Sequence, residues 1–152
     1  ISNLSISFLV ALVPILGYKT MFDLNVLTID MRFPTLLILG AFITNLTREI
    51  IKDIQDMEGD QKTHVKSIAI VSGKNIARRW AIATQFHIIP LTVASYFLIN
   101  TDGFGVSEIT YCASISIGVV ALFSILLGIK ETWVSLLLKI SMIIGTLTFF
   151  TL

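Results

Sequence analysis

Five long apolar runs dictate what this chain can fold into. They cover residues 4–18, 34–47, 80–99, 109–129 and 132–152. About 20 predominantly apolar residues in a helix cross the hydrocarbon core of a bilayer. The first run is short at its start. The second opens at Pro34, a good first-turn residue. It is too short alone, so its helix is expected to continue into the charged residues that follow. The third contains Pro90, where a kink is expected. The fifth is broken only by Lys139. The expected fold is all-α: a multi-pass transmembrane helical bundle with five spanning helices. Composition agrees, with 14% charged residues against about 25% in soluble domains. The mean hydropathy is +0.87.

The polar residues are concentrated rather than scattered. More than half of the 11 basic and 10 acidic residues lie between Arg48 and Arg79. The other connections, 19–33, 100–108 and 130–131, are short. Counting Lys and Arg near the helix ends places residues 48–79 and Lys130 on the cytoplasmic side. The net charge of +1 is uninformative, and no nucleic-acid partner is expected. The single cysteine, Cys112, rules out a disulfide within the chain and reads as a small packing residue. The chain begins with Ile1, without the basic segment and cleavage site of a signal peptide. It reads as part of a longer protein, starting at the edge of a membrane helix.

Residues 48–62, REIIKDIQDMEGDQK, hold five acids. Continuing the second helix through about residue 58, at about 100° per residue, stacks Glu49, Asp53, Asp56 and Asp60 within roughly 60°. Ile50, Ile54 and Met57 form a separate apolar face, and Glu58 points away from the stripe. Gly59 is a candidate helix end. Like charges four residues apart repel, so a cation should offset them. One reading is a solvated face in which Lys52 pairs with Glu49 or Asp56. The other is Mg²⁺, which takes one or two carboxylates together with substrate phosphates. Arg48 and Lys52 would then help to hold an anionic substrate.

The pattern Asp53-Ile-Gln-Asp56-Met-Glu-Gly-Asp60, preceded by Arg48-Glu49-Ile-Ile-Lys52, resembles the second aspartate-rich motif of the UbiA family of intramembrane prenyltransferases. The wording is most similar to the archaeal-type branch that prenylates geranylgeranylglyceryl phosphate. Homogentisate-type enzymes share much of it. The resemblance runs on through Lys66-Ser67 and Gly73 to the final run around residues 136–145. It implies half of a nine-helix fold, with residues 1–152 as the C-terminal half of one transmembrane domain and 48–79 as its cytoplasmic Asp-rich loop. It implies transfer of a prenyl group from an isoprenoid diphosphate to a hydrophobic acceptor through an allylic carbocation. The setting implied is a prokaryotic plasma membrane, among membrane lipids.

Carried over, Asp53, Asp56 and Asp60 are the Mg²⁺ and diphosphate ligands. Glu49 matches an acidic position of the family. Lys66 is a basic partner for phosphate or acceptor, and Asn3 lines the mouth. The first Asp-rich motif is absent, so catalysis requires the N-terminal half. His64 stands where many relatives have Gly, and Ala69 where archaeal-type enzymes often have Pro.

Other residues read more plainly. His87 is a packed or hydrogen-bonded intramembrane residue, with proton acceptor as the alternative. His64 is a loop residue. Arg78 and Arg79 beside Trp80 form an interfacial anchor or attract anions. Lys139 snorkels to the interface. Two competing functions are weighed. A divalent-cation transporter would bury acids near the bilayer midplane, but runs 4–18, 80–99 and 109–129 contain none. A structural subunit would tolerate loss of Asp53 and Asp56.

Overall fold

The computed structural model describes residues 2–23, 32–64, 66–99 and 106–148. Every regular element among them is helical. The helices are α1 (Ser2–Asp23), α2 (Arg32–Gln55), α3 (Met57–Lys62), α4 (Ile68–Ser72), α5 (Lys74–Phe86), α6 (Ile88–Ile99), α7 (Val106–Leu126) and α8 (Glu131–Leu147). Helix α2 is the centre. It packs against α1, α5 and α8, and α7 lies along α8. The connections expected at 19–33 and 100–108 fall largely outside the described residues.

Two apolar clusters hold the bundle. One joins Ile50, Ile51 and Ile54 of α2 to Ala69, Ala77, Ala81, Ala121, Ile125, Val134 and Leu138. The other joins Leu36 and Leu37 to Ile88, Leu91, Tyr111 and Ile115. The apolar face read from Ile50, Ile54 and Met57 therefore turns inward, with Met57 at the edge of the first cluster. Alanines at 69, 77 and 81 let α4 and α5 approach α2 closely.

The polarity of the bundle is partly inverted. Phe8, Leu9, Leu16, Phe97, Phe123 and Trp133 are exposed, whereas Ser7, Thr44, Asn45, Thr47, Gln85 and Ser95 are buried. Several of the buried groups are tied by short bonds: Asn45 Nδ2 donates to Ser7 Oγ at 3.2 Å, and Ser95 pairs with the Tyr111 hydroxyl at 2.9 Å. Cys112, expected inside, is exposed.

Five spans were expected. Among the described residues one helix, Val106–Leu126, is long and apolar enough to cross a bilayer, and Asn3–Gly17 is a shorter apolar stretch. Three of the expected spans fall short for identifiable reasons. Helix α2 carries four charged residues, Arg48, Glu49, Lys52 and Asp53, in its last third. The run 80–99 is not one kinked helix but two, separated at His87. Pro90 cannot donate to the carbonyl four residues earlier and its ring crowds that group, so α5 ends at Phe86. His87 is exposed, and its Nδ1–H donates back to the Ala83 carbonyl at 3.0 Å. Helix α8 has 17 residues, Glu131–Leu147, and residues 149–152 of that run lie outside the described residues.

The α7–α8 turn is set by Gly128, which has φ +73°. Gly128 N–H donates to Ile125 O at 3.2 Å and Ile129 N–H to Ser124 O at 3.0 Å. These are the two bonds of a Schellman ending, which asks for a left-handed residue at this place. The run read to residue 129 therefore stops as a helix at Leu126. Beyond the turn, small residues bring the two helices together. Ser114 Oγ donates to Ser141 O at 2.7 Å, and Ser141 Oγ donates to Ser114 O at 2.8 Å. A Cβ on Gly145 would lie 2.9 Å from Ser114 Oγ. Ser114 cannot retreat without breaking its bond. We expect Gly145→Leu to cost about 1–3 kcal/mol through overpacking. Thermal unfolding in detergent measures it, and an unchanged midpoint would show that α7 and α8 do not depend on this contact.

One ion cluster ties α5 to that turn. Lys74 Nζ lies 3.0 Å and Arg78 Nη2 3.4 Å from Glu131 Oε1. Arg78 thus braces α5 against the α7–α8 turn, while Arg79 is exposed. Burial by itself pushes the Glu131 carboxyl up. Its backbone hydrogen bond and the two cations outweigh that and hold it below its ordinary 4.5. A lowered pKa in the fold gives stability that is present above 4.5 and lost as pH falls below it. Glu131→Gln should therefore melt below the native protein at about pH 7 and together with it at about pH 3. A gap independent of pH would refute the brace.

Candidate functional site

The acidic stretch does not form one unbroken helix. Helix α2 stops at Gln55, and Asp56 sits at φ −89°, ψ 1° before α3 begins. The hydrogen-bond ladder nearly bridges the bend: Asp56 N–H donates to Lys52 O and Asp60 N–H to Asp56 O, each at 2.9 Å. The bend therefore keeps the helical phase, and the carboxylates at 53, 56 and 60 still come to one side. Gly59, read as a helix end, lies inside α3, which runs on to Lys62.

That side borders a cavity of about 700 Å³. Asp53, Asp56 and Asp60 line it together with Lys66, Asn3, Ser67, Ser72 and Thr84. Leu4, Leu46, Ile50, Ile68 and Trp80 supply its apolar wall. The cavity thus lies between the start of α1, the end of α2, α3, the 66–68 segment and the outer turns of α5. Asp53 is its most tightly held acid. Its Oδ2 accepts from Asn3 Nδ2 at 2.8 Å and from the Ile68 N–H at 3.2 Å. One carboxylate oxygen thereby joins α1, α2 and the segment carrying Lys66 and Ser67.

Three residues expected at the site lie elsewhere. Glu49 is only 9% exposed and pairs with Arg48 Nη1 at 2.8 Å. It does not pair with Lys52, and none of Arg48, Glu49 and Lys52 lines the cavity. Glu49 shares the angular position of Asp53 but lies a turn, about 6 Å, further into the bundle. A carboxylate with so little water needs its own partner, and Arg48 supplies it. Glu58 is exposed and outside the cavity, as its angle predicts. His64 is a loop residue at φ +56°, the left-handed region in which glycine is unstrained. Ala69, by contrast, is fully buried. Lys139 is exposed on α8, away from the cavity.

Among the described residues, no three His, Cys, Asp or Glu side chains converge closely enough to hold a metal ion by themselves. The donor chemistry nevertheless fits a hard cation. The cavity presents carboxylate, hydroxyl and amide oxygens, with no imidazole or thiol among its lining residues. Mg²⁺ seldom needs a complete protein cage, because waters and substrate phosphates fill its octahedron.

No family model and no solved structure matches the chain. Curated proteins do. The digeranylgeranylglyceryl phosphate synthase of Thermococcus kodakarensis is 34% identical over 119 residues, which are 74% of this chain and 40% of that protein. The synthase of Methanopyrus kandleri is 32% identical over 117 residues, 74% of this chain and 41% of its own length. The synthase of Methanosphaera stadtmanae is 28% identical over 156 residues and takes in 98% of this chain. The chain belongs to the UbiA family. It spans about half the length of these relatives at most, 53% in the last case. In this UbiA chain the stretch that resembles the family's second aspartate-rich motif lies on the end of α2, the bend and α3. Sequence reasoning missed Ser67, Ser72 and Thr84 as cavity residues. Ser67 alone left a signal, because it follows Lys66 in the stretch that carries the resemblance.

Proposed function

We propose that this chain is the C-terminal half of an intramembrane prenyltransferase. The reaction is transfer of a geranylgeranyl group from its diphosphate to geranylgeranylglyceryl phosphate. The observation that carries the reading is the cavity itself: Asp53, Asp56, Asp60 and Lys66 gather around one space with an apolar wall. An isoprenoid diphosphate has the same division, a polyanionic head on an apolar chain. The inverted polarity of the bundle, with apolar side chains outside and hydroxyls and amides within, supports a membrane setting. The reading includes five membrane spans, a prokaryotic plasma membrane and a cavity open to the cytoplasm.

Asp53, Asp56 and Asp60 would hold Mg²⁺, which when bound neutralises the phosphate oxygens and eases departure of pyrophosphate. Asp56 and Asp60 face the cavity from the bend and from α3, and Asp53 contributes its second carboxylate oxygen from α2. Lys66, which lines the same cavity, offers a positive charge to those oxygens. Leu4, Leu46, Ile50, Ile68 and Trp80 seat the first part of the prenyl chain and keep water from the allylic carbon. The remaining half of the protein brings the first aspartate-rich motif, without which this half is inactive.

The test is full-length protein with radiolabelled geranylgeranyl diphosphate, geranylgeranylglyceryl phosphate and Mg²⁺. A doubly prenylated glyceryl phosphate, absent when the metal is chelated, is the expected product. Transfer to an aromatic acceptor instead would assign the protein to the homogentisate-type branch. No transfer to either acceptor would refute the reading.

A further inference from the structure

Among the described residues that line the cavity, Ser67 is the one with a buried polar group lacking a partner. It is 8% exposed and lines the cavity, yet its Oγ is buried without a hydrogen-bond partner. Buried hydroxyls in folded proteins are nearly always bonded, so an exception asks for a reason. The obvious structural duty is helix capping. Ser67 precedes α4 with φ −87° and ψ 164°, the extended geometry of a capping residue, but its side chain makes no capping bond. The N–H of Ile68, the first residue of α4, is taken by Asp53 Oδ2 at 3.2 Å. The backbone here is pinned from both sides, by Asp53 and by the fully buried Ala69, so the hydroxyl can be redirected only by rotation of the Ser67 side chain.

We propose that Ser67 is a substrate-contacting residue, its hydroxyl left unbonded in the free protein in order to donate to a phosphoryl oxygen in the Asp53–Asp56–Asp60 cavity. The inference rests on the prenyltransferase reading above. Asp53 is then a positioning residue as well as a ligand, because the oxygen that holds Ile68 N–H also fixes Ser67. A phosphoryl oxygen at this place belongs either to the donor's diphosphate or to the acceptor's phosphate monoester. Both present an oxyanion that accepts a hydroxyl hydrogen bond.

The experiment compares native full-length protein with Ser67→Ala and Ser67→Thr, in detergent with Mg²⁺. Inorganic pyrophosphate and glycerol phosphate are the two probes, and calorimetry and thermal unfolding are the readouts. Ser67→Ala should unfold at the native temperature without ligand, because it removes no bond from the free protein. It should bind one of the probes about 10- to 100-fold more weakly, the worth of a hydrogen bond to a charged group. Ser67→Thr should restore that binding. Loss confined to pyrophosphate assigns the hydroxyl to the donor, and loss confined to glycerol phosphate assigns it to the acceptor. Unchanged binding of both probes by Ser67→Ala overturns the inference while leaving the prenyltransferase reading intact. A lowered unfolding temperature of ligand-free Ser67→Ala also overturns it, since that marks a structural cap. Failure of the native protein to bind either probe overturns the underlying reading, and the inference with it.

Discussion

Replacing Asp56 by alanine is expected to lower prenyl transfer by at least about 10²–10³-fold, the scale seen when a group that stabilises developing charge is removed. Asp56 is exposed, lines the cavity and sits at the bend between α2 and α3. Its backbone bonds to Lys52 and Asp60 do not use the side chain, so the fold should survive the substitution. The loss should therefore come with an unchanged unfolding temperature. Glu58 is the internal control. It lies two residues away, carries the same charge type and faces out of the cavity. Glu58→Ala should stay within about twofold of the native rate, as for surface changes remote from a site. Equal effects at 56 and 58 would mean that the stretch acts by net charge alone. A fully active Asp56→Ala would remove the proposed site.

Asp53 should behave differently, because its carboxylate is also part of the fold. Asp53→Ala leaves the Ile68 N–H and the Asn3 amide without their acceptor. That should cost about 1–3 kcal/mol of stability in addition to the activity. Asp53→Asn keeps one oxygen able to accept from Ile68, so much of the stability should return. Activity should not return, since an amide oxygen is a far weaker partner for Mg²⁺ and gives no negative charge. Unfolding curves and transfer rates for the two variants separate the roles. If Asp53→Ala unfolds with the native protein, the three-way tie between α1, α2 and the 66–68 segment contributes nothing. If Asp53→Asn transfers normally, the carboxylate is not a ligand.

The phase of the α2 helix was legible, because burial of Ile50, Ile51 and Ile54 imposes a 3.6-residue period that a local bend does not reset. That phase placed Asp53, Asp56 and Asp60 together and Glu58 apart. It also misplaced Glu49, because an angle around a helix says nothing about depth along it. The break at His87 was read as a kink at Pro90; the ring of a proline acts on the preceding turn, not on its own position. Arg78 was read against solvent and lipid, whereas Glu131, far away in sequence, claims it.

The sequence by itself determined that this chain is helical, which face of α2 is apolar, and that three aspartates share a side. Those are consequences of periodicity and of charge spacing, both local properties. Only the tertiary structure decided that α1 and the 66–68 segment close on those aspartates to make a cavity. It alone decided that Asp53 divides its oxygens between fold and cavity, and that Ser67 is buried there with nothing to bond. These depend on contacts between residues up to 50 positions apart, which no local pattern encodes.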